Sequence, residues 1–316
     1  MININYSKLE KEARDYWEWS ALNPFFPVSE SVAKEGAGSE LRNPLMHYGA
    51  VMPVYLAAAR YLQALRLSKN AKLVELGCGT GRALVYLKTI FPHIEILGAD
   101  YSKEIIDYAK SAYGRFGVQF MYIESAKNTQ FPASSFDVVL SSHVIEHIEK
   151  REGLRFLEEA RRILKPKGYA FIGTPERRNC QNLYMENPND EIKYRLILPH
   201  KHEYTLPELR AAAEQVFSIG EVRIDALYNH LLRGIFSLSA QRFKPDGSFV
   251  KNIASAMYQG ARNMLPRTVF DALVRFGISA QMRFLDASFF DVLSANRIGK
   301  EDERKTPDNL FLVCQK

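Results

Sequence analysis

From residue 72 onward the sequence alternates short apolar runs with amphipathic segments, and this alternation restricts the fold more than any other feature. The runs typical of strands are residues 72–76, 95–99, 118–123, 136–141 and 169–173. The segments between them repeat apolar residues at helical spacing, as in 82–91, 103–113 and 153–164. A strand–helix alternation of this kind predicts βαβ units and an α/β protein with a mostly parallel sheet.

Two further strands and two additions complete the predicted organisation. One strand is expected within residues 219–227 and the last at 309–315. The chain is thus divided into an N-terminal helical, aromatic-rich lid (1–70), a core (71–227), a mostly helical basic insertion (228–305) and a final core strand (306–316). Pro266 is expected to start a helix of that insertion, since proline favours the first helical turn. The aromatic residues expected to build the lid are Tyr16, Trp17, Trp19, Phe25, Phe26, Tyr48 and Tyr55.

Composition and the first residues of the sequence predict an ordinary globular, cytoplasmic protein. The first residues lack the basic and apolar regions of a signal peptide, and no apolar run approaches the roughly 18 residues that a membrane span requires. Cys78, Cys180 and Cys314 are far apart and fit neither a disulfide framework nor a zinc spacing. The sequence predicts a monomer or homodimer.

The net charge of +6 belongs to one part of the chain. Residues 226–300 contain ten Lys or Arg and four Asp, so this stretch alone carries 10 − 4 = +6. A basic amphipathic segment can lie on an anionic membrane surface or bind an acidic acceptor. We favour a cap whose charges are solvated, with peripheral lipid contact as the alternative.

Three alternating glycines follow the first predicted strand. Gly77, Gly79 and Gly81 come after the acid Glu75 and directly before a helix that begins near Arg82. Glycines permit positive φ and close approach to a ligand, and a helix N-terminus favours an anionic group. The fingerprint of nicotinamide- and flavin-binding turns needs a glycine at the sixth position, where this chain has Arg82, so that pattern fits poorly. No Gly-Lys-Ser/Thr follows either, so the turn is not a phosphate-binding P-loop.

An acid occupies the end of the second strand. Asp100 lies about 20 residues beyond the glycine turn, where a carboxylate can accept hydrogen bonds from a ribose diol. The turn and the acid, in this order, predict a site for a nucleoside.

Five segments in the correct order resemble the class I S-adenosylmethionine-dependent methyltransferases, in particular the ubiquinone-biosynthesis-like and other small-molecule enzymes. The segments are 74–82, 98–102, 131–139, 143–148 and 164–169. The resemblance implies a Rossmann-like sheet of seven strands whose last strand is antiparallel. It also implies S-adenosyl-L-methionine as cofactor and S-adenosyl-L-homocysteine as product.

The same resemblance assigns cofactor-binding residues. It places Glu75, Gly77, Cys78, Gly79 and Gly81 at the methionine end of the cofactor, Asp100 at the ribose hydroxyls, and Tyr101 and Ser102 beside the ribose and adenine. His143 is expected to touch the cofactor or the acceptor, because it lies at the carboxyl end of the fourth strand. Many relatives have an Asp after the third strand that contacts adenine. Here Glu124 and Ser125 occupy that loop, and either could substitute.

Histidines are the candidates for catalysis. His143 follows the fourth strand, and His200 and His202 lie in a later segment that often faces the acceptor in relatives. Histidine suits general-base catalysis because its pKa lies near neutrality. Structural roles are the alternative for each, and His147, four residues after His143, is expected to pack its helix. A metal site of His143, Glu146 and His147 is conceivable, but we predict no metal.

The resulting functional hypothesis is methyl transfer to a small molecule, most simply to an oxygen of a secondary metabolite, quinone-like compound, sugar or lipid. A pI near 9.0 prompts an RNA methyltransferase as alternative. Residues 141–144 lack the Asn/Asp-Pro-Pro-aromatic signature of base methylases, and no RNA-binding module is evident, so we expect no nucleic-acid partner. A non-catalytic, regulatory protein that binds S-adenosylmethionine is the third hypothesis.

Overall fold

An eight-stranded sheet forms the centre of the computed structural model, which describes residues 44–177, 200–218, 221–229, 265–269, 271–273, 275–276, 290–294 and 309–316. Its strands are β1 (Lys72–Leu76), β2 (Glu95–Asp100), β3 (Val118–Tyr122), β4 (Phe136–Ser142), β5 (Leu164–Pro175), β6 (Val222–Asn229), β7 (Phe290–Ser294) and β8 (Asn309–Gln315). All seven predicted strands are present; β5 begins five residues earlier than predicted, and the other strands differ little at their ends.

The strand order is β3-β2-β1-β4-β5-β8-β6-β7. Strands β1 to β5 pair in parallel, and β8 is antiparallel to both β5 and β6. The predicted α/β class and the antiparallel last strand are therefore confirmed. Strand β7 is an addition, since it pairs with β6 at the sheet edge and comes from the segment predicted to be mostly helical.

Within the described residues, the helices named by their full bounds are α1 (Pro44–Leu65), α2 (Arg82–Ile90), α3 (Lys103–Tyr113), α4 (Lys150–Ile163) and α5 (Leu206–Glu214). Short 3-10 turns lie at Gly114–Phe116 and Ile145–His147. Pro266 directly precedes helical residues, as predicted. Among the helices that the structure describes, none is both long and apolar enough to cross a bilayer.

Two apolar clusters fill the space between the helices and the two faces of the sheet. Helices α1 and α2 contribute to one cluster through residues such as Leu56 and Leu84, and α4 and α5 contribute to the other through residues such as Phe156 and Leu209. Full burial of each such side chain contributes about 1.5–3 kcal/mol. Helix α1 lies especially close to the sheet, because a Cβ on Gly173 of β5 would sit 2.3 Å from Val54.

Local sequence fixes where two of the helices begin. Ser102 is the N-cap of α3, and its Oγ accepts the backbone N–H of Ile105 at 3.2 Å. Thr205 and Glu208 form a capping box at the start of α5, in which Glu208 accepts the Thr205 N–H at 3.1 Å. Both caps satisfy backbone donors that the first helical turn leaves without partners.

Because β1, β2, β4 and β5 run in parallel, their carboxyl-terminal ends lie on the same side of the sheet. Ligands of open α/β sheets bind at that side. Of the predicted lid, only α1 and the residues after it are described, and Tyr16, Trp17, Trp19, Phe25 and Phe26 lie outside the described part. Residues 178–199 and 230–264 also lie outside it. The division into lid, core and insertion stays a prediction.

Candidate functional site

The glycine turn between β1 and α2 has the backbone conformation that its sequence predicts. Gly77, Gly79 and Gly81 have φ values of 77°, 51° and 71°, which lie in the left-handed region that favours glycine. Gly81 is the N-cap of α2, and no side chain caps the helix there. The start of α2 is therefore suited to receive an anionic group of a ligand.

The three glycines differ in what surrounds them. A Cβ on Gly77 would lie 2.3 Å from Val144, and one on Gly81 would lie 2.1 Å from the ring of Phe120. A Cβ on Gly79 would meet nothing within 4 Å. Packing thus excludes side chains at the two outer positions, whereas the middle glycine borders open space.

Asp100 connects the glycine turn to the second strand. Its Oδ2 accepts the N–H of Gly79 at 2.9 Å, and its Oδ1 accepts the N–H of Ser102 at 3.1 Å. Burial raises the pKa of Asp100, although these backbone hydrogen bonds oppose the shift. Each carboxylate oxygen has a second lone pair, so both can still accept hydroxyl groups from a ligand.

Glu75 is a buried acid, and one of its carboxyl oxygens has no hydrogen-bond partner in the described structure. The Tyr55 hydroxyl donates to its Oε1 at 2.6 Å, while Oε2 is buried and makes no hydrogen bond within the described structure. Burial, together with a smaller effect of the charge of Asp100, raises the pKa of Glu75 to about 8 although the Tyr55 hydrogen bond opposes the shift. A buried carboxylate with a free oxygen is stabilised by a cationic ligand group such as an ammonium.

The side chains of several predicted cofactor-binding residues pack, cap a helix, form a local hydrogen bond or are exposed to solvent. The Cys78 sulfur packs beside Gly98, and burial raises the pKa of its thiol, so only the backbone of Cys78 belongs to the turn. Ser102 uses its hydroxyl to cap α3. Tyr101 and Glu124 are exposed, and Ser125 accepts the N–H of Lys127 at 3.1 Å. Whether these five residues contact the cofactor stays a prediction.

His143 occupies the turn directly after β4. Its φ of 56° is unusual for a residue other than glycine, and its N–H donates to the carbonyl of Gly173 at 2.9 Å. Its Nδ1 lies 3.2 Å from Oε1 of Glu146. Its Nε2 is buried and makes no hydrogen bond with the described residues, which leaves this nitrogen for a ligand.

Glu146 is fully buried in the 3-10 turn after β4. Burial acts to raise its pKa, but the neighbouring rings of His143, His147 and His200 outweigh this effect and lower the pKa to about 2. Thr174 donates a hydrogen bond to Oε2 at 3.1 Å. A buried carboxylate that remains ionised among histidines is a feature that the sequence did not single out, beyond the metal alternative.

The other two candidate bases, His200 and His202, are separated by their surroundings. His200 Nδ1 lies 2.7 Å from Oε1 of Glu203, and its ring packs against His147 with centroids 4.9 Å apart. Burial lowers the pKa of His200 to about 3. His202 instead lies against Tyr204, with its Nε2 3.2 Å from the guanidinium of Arg177. Of the three candidate histidines, His143 and His200 thus lie around Glu146, and His202 contacts a different set of side chains.

Comparison with known proteins provides evidence that is independent of the geometry of the site. Residues 74–172 match the family model of a methyltransferase domain. A fatty-acid O-methyltransferase of Mycolicibacterium smegmatis is 31% identical over 112 residues, covering 34% of this chain and 38% of that protein. A ubiquinone biosynthesis O-methyltransferase of Pelagibacter ubique is 29% identical over 106 residues, covering 34% and 42%. The matched part spans about two fifths of these relatives.

Solved structures with the same type of fold are more distant. Phosphoethanolamine N-methyltransferase 2 of Haemonchus contortus, in complex with S-adenosyl-L-methionine, is 14% identical over 82% of this chain and 51% of that one, with a TM-score of 0.48. A SAM-dependent methyltransferase of Archaeoglobus fulgidus is 18% identical over 83% and 94%, with a TM-score of 0.44. On the family match and the relatives, the chain contains a methyltransferase domain of the class I S-adenosylmethionine-dependent superfamily.

Proposed function

We propose that this protein transfers the methyl group of S-adenosylmethionine to an oxygen atom of a small-molecule acceptor. One observation carries the proposal most directly: Gly79 borders open space and donates its N–H to the buried Asp100, and Glu75 on the preceding strand has a buried oxygen without a partner in the described structure. These groups match the charges and hydroxyls of the cofactor.

The fit can be followed group by group. Glu75 Oε2 would accept a hydrogen bond from the ammonium of the cofactor, and Asp100 would accept from its ribose hydroxyls. The N-terminus of α2 would face its carboxylate, since helix N-termini favour anions. When bound, the cofactor supplies an electrophilic methyl group on a sulfonium. The protein holds donor and acceptor in line and excludes water.

An oxygen acceptor is supported by the relatives and by His143. The two relatives reported above are by name O-methyltransferases, and both names give small molecules. His143 has one nitrogen next to the ionised Glu146 and the other without a hydrogen-bond partner in the described structure. An imidazole held by a carboxylate on one nitrogen can take a proton from an acceptor hydroxyl on the other. We therefore assign His143 the role of general base, ahead of His200 and His202.

The test is a methyl-release assay over hydroxylated acceptors, which should include fatty acids, phenols and sugars. The proposal predicts turnover on at least one of them and a fall in kcat of about 10²–10⁴ in His143→Ala, with unchanged cofactor affinity. His202→Ala is the control and should retain turnover. Transfer only to RNA or to amines, or full activity of His143→Ala, would contradict the assignment.

A further inference from the structure

A short helix of the basic insertion contacts the core through charged side chains. It lies within residues 267–276, in the described parts of that range, and is called here the insertion helix. Its Asp271 accepts a hydrogen bond from Nε of Arg115 at 2.6 Å, and Arg115 belongs to the 3-10 turn before β3. The guanidinium of Arg275 lies 4.9 Å from the ring centroid of Phe116 in the same turn, which is within the range of a cation–π interaction. Charged groups therefore fix the insertion helix to the core.

A different side of the insertion helix presents apolar side chains to solvent. Val269, Leu273 and Phe276 are 45%, 52% and 71% exposed, and Ala272 is exposed as well. Their i, i+3, i+4 and i+7 spacing places these four residues, called here the apolar stripe, on one face of the helix. A surface helix ordinarily turns such a stripe toward the core, so its orientation here is the reverse of the usual one. An exposed apolar stripe with polar surroundings is typical of an interaction surface.

The insertion helix lies in a region of positive charge. Arg267 is exposed in its first turn, and the one acid of the helix is paired with Arg115. Lys88 reaches the same part of the core, because its Cε lies 3.1 Å from a Cβ placed on Gly117 at the end of the 3-10 turn. Residues 226–300 as a whole carry the charge of +6. Apolar side chains combined with excess positive charge are complementary to an anionic lipid surface.

The same charge argues against a second copy of the chain as the occupant of the apolar stripe. In a two-fold symmetric dimer built on this stripe, each insertion helix would lie against its own duplicate. Two segments that each carry +6 would then face each other. Like charges across an interface oppose association, whereas anionic head groups would be attracted.

We propose that the insertion helix docks this protein on the surface of an anionic phospholipid bilayer. Val269, Leu273 and Phe276 enter the boundary between head groups and acyl chains, and Arg267 stays at the level of the head groups. The sequence alone favours a cap with solvated charges, and the outward orientation of the apolar stripe favours the alternative of lipid contact.

The position of the helix makes this proposal independent of the proposed function. The 3-10 turn that it contacts directly precedes β3, which runs parallel to β2. The insertion helix therefore lies toward the amino-terminal ends of the parallel strands, whereas the glycine turn lies at their carboxyl-terminal ends. Docking through the apolar stripe leaves the proposed cofactor site uncovered.

The test is flotation of the purified full-length chain with vesicles of phosphatidylcholine alone, or of phosphatidylcholine with about 30 mol% phosphatidylglycerol. Binding to the anionic vesicles should exceed binding to the neutral ones by at least about tenfold and should weaken as the salt concentration rises. Replacing Leu273 and Phe276 together by Ser should lower the partition coefficient at least about tenfold, because lipid binding scales with the apolar area buried. Arg267→Gln removes one charge and should lower it about fivefold.

Met121→Ser is the matched control for the apolar substitutions. Met121 is 46% exposed, close to the value for Val269, but it lies near the carboxyl-terminal end of β3. This variant should bind the anionic vesicles like the wild type. An equal loss of binding in Met121→Ser would show that the effect is not specific to the insertion helix.

Three further outcomes would overturn the proposal. A folded wild-type chain could show no preference for the anionic vesicles, or the Leu273→Ser, Phe276→Ser variant could bind them unchanged. In sedimentation without lipid, a wild-type dimer that becomes a monomer in the same variant would assign the apolar stripe to a second copy. Circular dichroism establishes that each variant is folded. Since neither cofactor nor acceptor is added, none of these results bears on the methyl-transfer proposal.

Discussion

The hydroxyl of Tyr55 donates a 2.6 Å hydrogen bond to Glu75, and both side chains are buried. Tyr55 belongs to α1, which precedes the sheet, whereas Glu75 is the acid of the glycine turn. The bond leaves Oε2 of Glu75 free in a fixed position. The helix before the first strand therefore orients a group of the proposed cofactor site, in addition to any role as a lid.

Tyr55→Phe is expected to weaken both stability and cofactor binding. Removal of the hydroxyl leaves the buried Glu75 without its donor, which should cost about 1–3 kcal/mol of unfolding free energy. Cofactor affinity should fall by about tenfold, the equivalent of about 1.4 kcal/mol. Denaturant unfolding and calorimetry measure the two effects.

Tyr61→Phe is the matched control for that variant. Tyr61 also lies on α1 and also donates to a buried carboxylate, Asp225 of β6. Its loss should lower stability and leave cofactor affinity unchanged. Equal losses of affinity in the two variants would show that the Tyr55 effect is not specific to Glu75.

Gly79→Ala should separate cofactor binding from folding. The added methyl group meets no atom within 4 Å, so its cost to folding is that of the positive φ, about 1–2 kcal/mol. The same methyl group enters the space assigned to the cofactor, so affinity should fall much further than stability. Gly114→Ala is the control, because Gly114 has a φ of −56° and equally open surroundings, and it should leave both quantities close to wild type.

Glu75→Gln should change how stability depends on pH. Burial raises the pKa of Glu75 from 4.5 to about 8. Between these two pH values Glu75 is therefore protonated in the folded chain and ionised in the unfolded chain. The contribution of Glu75 to stability is therefore complete below pH 4.5 and declines as the pH rises to 8. Unfolding free energies of the wild type and of Glu75→Gln are measured without cofactor from pH 5 to pH 8. The value for the wild type minus the value for the variant should decrease as the pH rises. A flat or rising difference would exclude the raised pKa.

The sequence predicts the core of the fold well because its signals are local. Strands β1 and β8 and helix α3 begin and end where the apolar pattern of the sequence places them. The sequence pattern does not predict strand β7, because a five-residue edge strand carries little periodic signal and the surrounding segment is predicted to be mostly helical. Its formation depends on pairing with β6, which is far away in sequence.

The histidines show where prediction from sequence ends. The sequence predicts that His147, four residues after His143, packs on a helix. The structure instead has a positive φ at His143 and only a 3-10 turn over Ile145–His147. His147 therefore contacts His200, which main-chain hydrogen bonds to Glu146 bring into place. Such long-range backbone contacts have no periodic signature.

The most direct measurement is calorimetric titration of the purified chain with S-adenosylhomocysteine, the demethylated product of the proposed reaction. The account predicts saturable one-to-one binding by the wild type and a loss of at least tenfold in Asp100→Asn, which keeps one acceptor oxygen but removes the charge. A folded wild-type chain without affinity for this nucleoside, or an Asp100→Asn variant that binds it equally well, would contradict the central claim.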